Sequence, residues 1–134
     1  MYLVDTSVWI DFFRTRRNKA VAQLEAILGH ELPFGITATV YQEVLQGAAS
    51  MKDFSMLETY LGTQRFYHPR DPVTSYRHAA ELYLRCRKKG VTIRSTGDCL
   101  IAQIAIEHEL LLVHNDRDFV GIAKVIPELK LAKG

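Results

Sequence analysis

Cysteine, proline and tryptophan are scarce in this sequence of 134 residues, which contains two, four and one of them. The two cysteines, Cys86 and Cys99, lack the spacing of a metal-binding pair, and two thiols in apparent helices fit a reducing compartment. No internal repeat, low-complexity tract or linker rich in proline and glycine interrupts the sequence. With 48% hydrophobic residues, a chain of this length can bury a core without disulfides, so we expect one domain over residues 1–134.

Long apolar runs are also missing, so we expect no membrane-spanning segment and no membrane partner. The first residues enter a strand pattern with no basic segment before them. This start predicts the absence of a secretory signal, and with it a cytoplasmic location.

A large excess of either charge is absent as well, since the formal net charge is +2. The cations are nevertheless clustered, and each cluster has two interpretations. A basic helix end exposed to solvent is favoured by the helix dipole, whereas a basic patch can contact the phosphates of a nucleic acid. The first cluster is Arg14, Arg16, Arg17 and Lys19, and the second is Arg85, Arg87, Lys88 and Lys89.

Apolar periodicity predicts strands that alternate with helices. The segments "YLV", "LPFGIT", "RFYHP" and "LLLVH" are typical of short strands, and the last is apolar enough to be covered on both faces. We predict helices over residues 8–13, 20–28, 40–45, 51–61 and 72–89, one capped by Ser95 or Thr96, and one that begins near Asp118. The helix over 40–45 follows a cap at Thr37 or Thr39. The alternation indicates an α/β fold with a mostly parallel central β-sheet flanked by α-helices.

Acidic residues follow two of the predicted strands. Asp5 ends the first strand, and Asp116 lies just beyond "LLLVH". Asp98 lies in the first turn of a predicted helix, and Glu43 lies on the helix in "TATVYQEVLQG", beside its apolar face. Each acid taken singly also fits a helix cap, a turn or a solvated helix position. Because ligands collect at the carboxyl ends of parallel strands, we expect the four to converge on one cleft.

Four convergent carboxylates would repel one another and raise each other's pKa values. A divalent cation relieves this repulsion, and hard carboxylate oxygens suit Mg²⁺ or Mn²⁺ better than zinc. Such an ion can activate a bound water and stabilise a phosphoryl oxygen. The constellation therefore predicts metal-assisted hydrolysis of a phosphodiester.

Four segments, "YLVDTSVWID", "TATVYQEVLQG", "TIRSTGDCLIAQIAIEH" and "LLVHNDRDF", resemble in order and spacing those of PIN-domain ribonucleases, and most closely the VapC-type toxins of toxin–antitoxin modules. The resemblance covers essentially the whole chain and implies a PIN-like fold, an acidic pocket that holds Mg²⁺ or Mn²⁺, and RNA as substrate, with transfer RNA a common family target. The implied catalytic residues are Asp5, Glu43, Asp98 and Asp116, with Asp5, Asp98 and Asp116 as metal ligands and Thr6, Ser7, Asn115 and Asp118 as supporting residues.

The resemblance also implies partners. VapC-type toxins are restrained by a small VapB-type antitoxin and commonly form homodimers. Apolar residues on the early helices could serve either contact or fill the core of the monomer. They are Phe12, Phe13, Val44, Leu57 and Tyr60. Trp9 and Tyr41 could stack an RNA base, although for Trp9 and Phe13 a core or dimer-interface position is favoured.

Three alternatives are weighed against this function. A haloacid-dehalogenase-type phosphatase also needs an acid two residues after Asp5, where this sequence has Ser7. A phospho-receiver domain needs an acceptor aspartate on a middle strand, which "LPFGITAT" does not offer. A non-catalytic RNA- or protein-binding module with a vestigial acidic pocket remains the alternative from a different functional class.

Overall fold

Five parallel strands form a single sheet in the computed structural model, which describes residues 1–133. The strand order is β3-β2-β1-β4-β5. All carboxyl ends therefore lie at one edge of the sheet, as the predicted α/β fold with a parallel sheet requires. The strands are β1 (Tyr2–Val4), β2 (Phe34–Ile36), β3 (Arg65–Phe66), β4 (Leu111–Val113) and β5 (Lys130–Leu131).

Helices connect the strands, and most begin at a polar side chain that accepts a hydrogen bond from the first turn. Of the alternative caps predicted from the sequence, Thr37 and Ser95 are the ones used. None of the helices within residues 1–133 is both long and apolar enough to cross a bilayer. The helices are α1 (Thr6–Phe13), α2 (Lys19–Gly29), α3 (Ala38–Gln46), α4 (Met51–Gly62), α5 (Thr74–Lys88), α6 (Thr96–Glu107) and α7 (Arg117–Val125).

The central strands β1 and β4 carry the middle of the hydrophobic core. Leu3, Val4, Leu112 and Val113 are fully buried, whereas Leu111 at the start of β4 is 36% exposed. The "LLLVH" run is therefore buried at Leu110, Leu112 and Val113 but not at Leu111. This rigid centre holds the ends of β1 and β4, from which two of the predicted acids project.

Burial decides some of the alternatives left open for the apolar residues of the early helices, and one predicted helix boundary differs. Trp9 is fully buried in the core, and Val44 and Leu57 are buried as well, so these three residues are not free to bind a partner. Helix α5 begins at Thr74 rather than Pro72, and the Asp71 carboxylate accepts hydrogen bonds from the main-chain N–H groups of Val73 and Thr74 where the helix opens.

Candidate active site

An open cleft of about 430 Å³ lies at the carboxyl edge of the sheet. It is lined by all four acids of the predicted catalytic set, by three of the four predicted supporting residues, and by three residues that were not predicted to belong to the site. These ten residues are Asp5, Thr6, Ser7, Ile10, Glu43, Arg94, Ser95, Asp98, Asp116 and Asp118.

Asp5 is fixed in the cleft by three hydrogen bonds. Its main-chain N–H donates to the Val113 carbonyl at 2.9 Å, which ties the end of β1 to β4. Its Oδ2 accepts from the Ser7 main-chain N–H at 3.2 Å and from the Ser7 hydroxyl at 2.7 Å, so Asp5 caps α1. Burial raises the pKa of Asp5, the hydrogen bonds from Ser7 partly offset the rise, and the charge of Glu43 adds to it. The carboxylate at the end of β1 is therefore both a helix cap and a wall of the cleft.

Glu43 reaches the cleft from α3 and is held there from α1. The Thr6 hydroxyl donates to Glu43 Oε1 at 2.8 Å. Thr6 is buried, whereas Glu43 is exposed, so the bond fixes a side chain that would otherwise sample several rotamers. This contact links the predicted supporting residue Thr6 directly to one of the four predicted acids.

Asp98, Asp116 and Asp118 form the tightest acidic group, with one carboxylate oxygen of each within 4.8 Å of the other two. Asp116 caps α7 by accepting from the Asp118 N–H at 2.9 Å, and its own N–H is 3.1 Å from His114 Nδ1. Burial, followed by the charges of Asp5 and Asp116, raises the pKa of Asp98 to about 7. Asp5 lines the same cleft but is not a member of this trio.

Arg94 is a functional candidate that the sequence reasoning missed. Its Nε donates to Asp118 Oδ2 at 3.1 Å, and its Nη2 donates to Asp116 Oδ1 at 3.2 Å. Burial opposes the ionisation of Asp118, but the bonds and charge of Arg94 outweigh this and keep the pKa of Asp118 below its ordinary value. The available signal was a lone cation four residues before Asp98 in "TIRSTGD", which does not tell where the side chain points.

Asn115 does not line the cleft but braces the loop that carries Asp116. Its main-chain N–H donates to the Ser7 hydroxyl at 3.2 Å, and its amide donates to Asp11 Oδ2 at 2.9 Å. Asp11 is buried and also accepts from the Asn18 amide at 3.0 Å. The sequence reasoning missed Asp11 too, although an acid among apolar helix residues in "WIDFF" is a signal for a buried polar network.

The donor set fits a hard divalent cation. Five carboxylates line the cleft against a single guanidinium, so the site carries excess negative charge. The spacing of the Asp98, Asp116 and Asp118 oxygens, within 4.8 Å, is close to the span that ligands about 2 Å from one ion allow. Carboxylates are the ligands that Mg²⁺ and Mn²⁺ prefer, and no thiol or imidazole is among the lining residues of the described chain.

Comparisons with known proteins agree with this arrangement. The family model for the PIN domain matches residues 2–125. The chain is 33% identical over 126 residues to VapC ribonuclease Mb1587 of Mycobacterium bovis, and the alignment covers 93% of each protein. The fold is similar to that of VapBC2 from Rickettsia felis, solved with a fragment of promoter DNA, at a TM-score of 0.73 and 20% identity, covering 98% of this chain and 96% of that one. A toxin–antitoxin complex from Klebsiella pneumoniae gives a TM-score of 0.65 at 22% identity, covering 98% and 100%.

Proposed function

Since the chain belongs to the PIN-domain family, and within it to the VapC ribonucleases, we propose that it is a metal-dependent endoribonuclease acting as the toxin of a toxin–antitoxin module. The observation that carries this proposal is the convergence of five carboxylates, from four separate parts of the chain, in one open cleft at the sheet edge. A purely structural role for these acids gives no reason for such a concentration of like charge.

In the proposed mechanism, Asp5, Asp98 and Asp116 would hold one Mg²⁺ or Mn²⁺, and Asp118 would support the site from beside Asp116. A bound ion would supply positive charge at the phosphate and would make water a better nucleophile. Glu43, oriented by Thr6, accepts the proton of the attacking water. Ser7 keeps Asp5 aimed into the cleft through its hydroxyl. Hydrolysis of the phosphodiester then leaves a 5′-phosphate and a 3′-hydroxyl.

The proposal extends to partners and setting. RNA is the substrate, with transfer RNA a candidate, and one or both basic clusters contact its backbone. A VapB-type antitoxin binds the protein and restrains it, as the toxin–antitoxin complexes among the structural relatives suggest. We further propose that residues 1–134 form a single PIN domain, that the protein is a homodimer, and that it acts in the cytoplasm.

Cleavage of total cellular RNA by the purified, antitoxin-free protein tests the function. We expect discrete fragments with Mg²⁺ or Mn²⁺, none with EDTA, and 5′-phosphates at the mapped cuts. Asp98→Asn and Asp5→Asn should abolish cleavage. Asp53→Asn, which changes a first-turn acid of α4 outside the cleft, should cut like the wild type.

Circular dichroism establishes that each variant is folded, which matters most for Asp5 because it also caps α1. Folded wild-type protein that binds RNA but does not cut it with either metal would replace the nuclease with the non-catalytic binding module. Cleavage that survives both substitutions in the cleft would refute the catalytic assignment.

A further inference from the structure

Arg94 is the one cationic side chain among the described residues that line the acidic cleft. An RNA phosphate entering this cleft would meet five carboxylates, whose charge opposes its approach. A single guanidinium in the same cleft therefore has a large effect on where a phosphate can come to rest.

One end of Arg94 is firmly anchored. Both its main-chain N–H, at 3.2 Å, and its Nε–H, at 3.1 Å, donate to Asp118 Oδ2. The Asp118 side chain is only 9% exposed, so the accepting end of this double contact is held by the surrounding fold, although the Arg94 side chain itself is 61% exposed. Asp118 thus fixes the direction in which the guanidinium projects.

The other end of Arg94 is exposed and its contact is replaceable. Nη2 donates to Asp116 Oδ1 at 3.2 Å, where the two side chains are 61% and 28% exposed. The same Asp116 oxygen already accepts the Asp118 main-chain N–H at 2.9 Å, so it keeps a partner when Nη2 moves away. Guanidinium N–H groups match the geometry of phosphate oxygens.

We propose that Arg94 is a catalytic residue whose Nη groups contact a non-bridging oxygen of the scissile phosphate while Nε remains on Asp118. This inference rests on the proposed nuclease function. Under this inference Asp118 positions Arg94. The Arg94 guanidinium then supplies positive charge as negative charge develops on the phosphate.

The test compares Arg94→Ala and Arg94→Lys with Arg77→Ala on an end-labelled RNA that carries the mapped cleavage site. Arg77 is the matched control, an exposed arginine paired with Glu81 at 3.7 Å outside the cleft. We expect kcat to fall about 100-fold for Arg94→Ala, the order found when one donor to a developing oxyanion is removed. Arg94→Lys should recover part of the lost kcat, because lysine keeps the positive charge but lacks the paired N–H donors of a guanidinium. Arg77→Ala should match the wild type.

A second measurement separates phosphate contact from a role in building the acidic site. Mn²⁺ binding is titrated calorimetrically in the absence of RNA. Arg94→Ala should bind Mn²⁺ at least as tightly as the wild type, because it removes a cation that competes for Asp116 and Asp118. In a further comparison, sulphur replaces the contacted non-bridging oxygen of the scissile phosphate. This replacement should lower the cleavage rate of the wild type but not lower that of Arg94→Ala any further, because both changes remove the same contact.

Each outcome either supports or overturns the contact between Arg94 and the scissile phosphate. A wild type that cleaves and an Arg94→Ala that cleaves equally well would overturn the role of Arg94 alone. Loss of Mn²⁺ binding in Arg94→Ala would make Arg94 a structural part of the acidic site and would also overturn it. A wild type with no cleavage would refute the proposed function and this inference with it. If Arg94→Ala does not fold, Arg94→Lys carries the same comparisons, with an expected loss of about tenfold in kcat.

Discussion

The Thr6 hydroxyl donates a 2.8 Å hydrogen bond to Glu43 Oε1, joining two residues that are 37 positions apart in the sequence. Thr6 opens α1 directly after Asp5, and Glu43 lies on α3, so the bond spans the cleft wall between two helices. The rest of the Glu43 side chain is exposed to solvent. Its orientation towards Asp5 therefore depends largely on this one partner.

Thr6→Val should lower kcat while leaving the fold intact. Valine has nearly the same shape but cannot donate, so Glu43 is released to solvent. We expect a fall of about fivefold in kcat, which corresponds to the roughly 1 kcal/mol that a typical hydrogen bond contributes. Steady-state cleavage of the mapped RNA provides the measurement. Thr6→Ser keeps the hydroxyl and should stay close to the wild type; if serine and valine lower kcat equally, the bond does not orient Glu43.

The location of the site could be predicted from the sequence because it depends on topology. Asp5 and Asp116 follow strands, and in a parallel sheet all strands end at the same edge. The contacts that orient the acids could not be predicted in the same way. Arg94 and Asp118 are 24 residues apart, and Asn115 and Asp11 are 104 apart, so those pairs exist only once the helices have packed.

Errors in the predicted fold arise from local hydrogen bonding and from short elements. Pro72 suits a first helical turn, and the Asp71 carboxylate accepts the N–H groups of Val73 and Thr74 as a helix cap would, yet the regular helix begins only at Thr74. Strand β5 has only the two residues Lys130–Leu131, too few for an apolar alternation to be recognised. Both features are set by contacts that a periodicity does not encode.

Asp98→Asn should remove a pH-dependent loss of stability in the metal-free protein. Burial and neighbouring acids raise the pKa of Asp98 from 3.8 to about 7 in the folded state. Between these values the unfolded chain has released its proton while the folded protein keeps it, so rising pH favours unfolding. Below this window both states are protonated, and above it both are ionised and the destabilisation is constant.

Urea unfolding in EDTA, followed by Trp9 fluorescence from pH 4 to pH 8, measures this effect. We expect the free energy of unfolding of Asp98→Asn to exceed that of the wild type by a margin that grows to about 1–2 kcal/mol near pH 7, allowing for solvent screening of a half-buried group. Comparing the two proteins isolates Asp98 from Asp5, whose pKa is also raised by burial. A margin that is constant across the range would contradict the assignment.

Gly35→Ala should destabilise the sheet at β2. A Cβ at Gly35 would lie 2.5 Å from Tyr67 Cε2 and 2.7 Å from the Arg65 carbonyl oxygen, closer than packed atoms approach. We expect a loss of about 1–3 kcal/mol in the free energy of unfolding, as for other overpacked cores. The matched control is Gly29→Ala at the end of α2, where a Cβ meets nothing within 4 Å. That substitution should be neutral or stabilise by roughly 0.5 kcal/mol. If the two substitutions change the free energy of unfolding equally, Tyr67 and Arg65 move aside to accommodate the new Cβ.

Asn115→Ala should reduce both stability and cleavage, whereas Asn18→Ala should reduce stability alone. The two amides donate to the same Asp11 oxygen, at 2.9 Å and 3.0 Å, so each substitution removes one bond to one buried carboxylate. Only Asn115 adjoins Asp116, and its loss frees the loop that carries that acid. We expect Asn115→Ala to lose about 1.5–3 kcal/mol in the free energy of unfolding, the range for bonds to charged groups. Asn18→Ala should lose about 1 kcal/mol more, because it also removes the cap of α2. Unfolding curves and kcat on the mapped RNA measure the two effects separately. An Asn115→Ala protein that is destabilised but cleaves at the wild-type rate would show that the Asp11 network stabilises the fold without positioning Asp116.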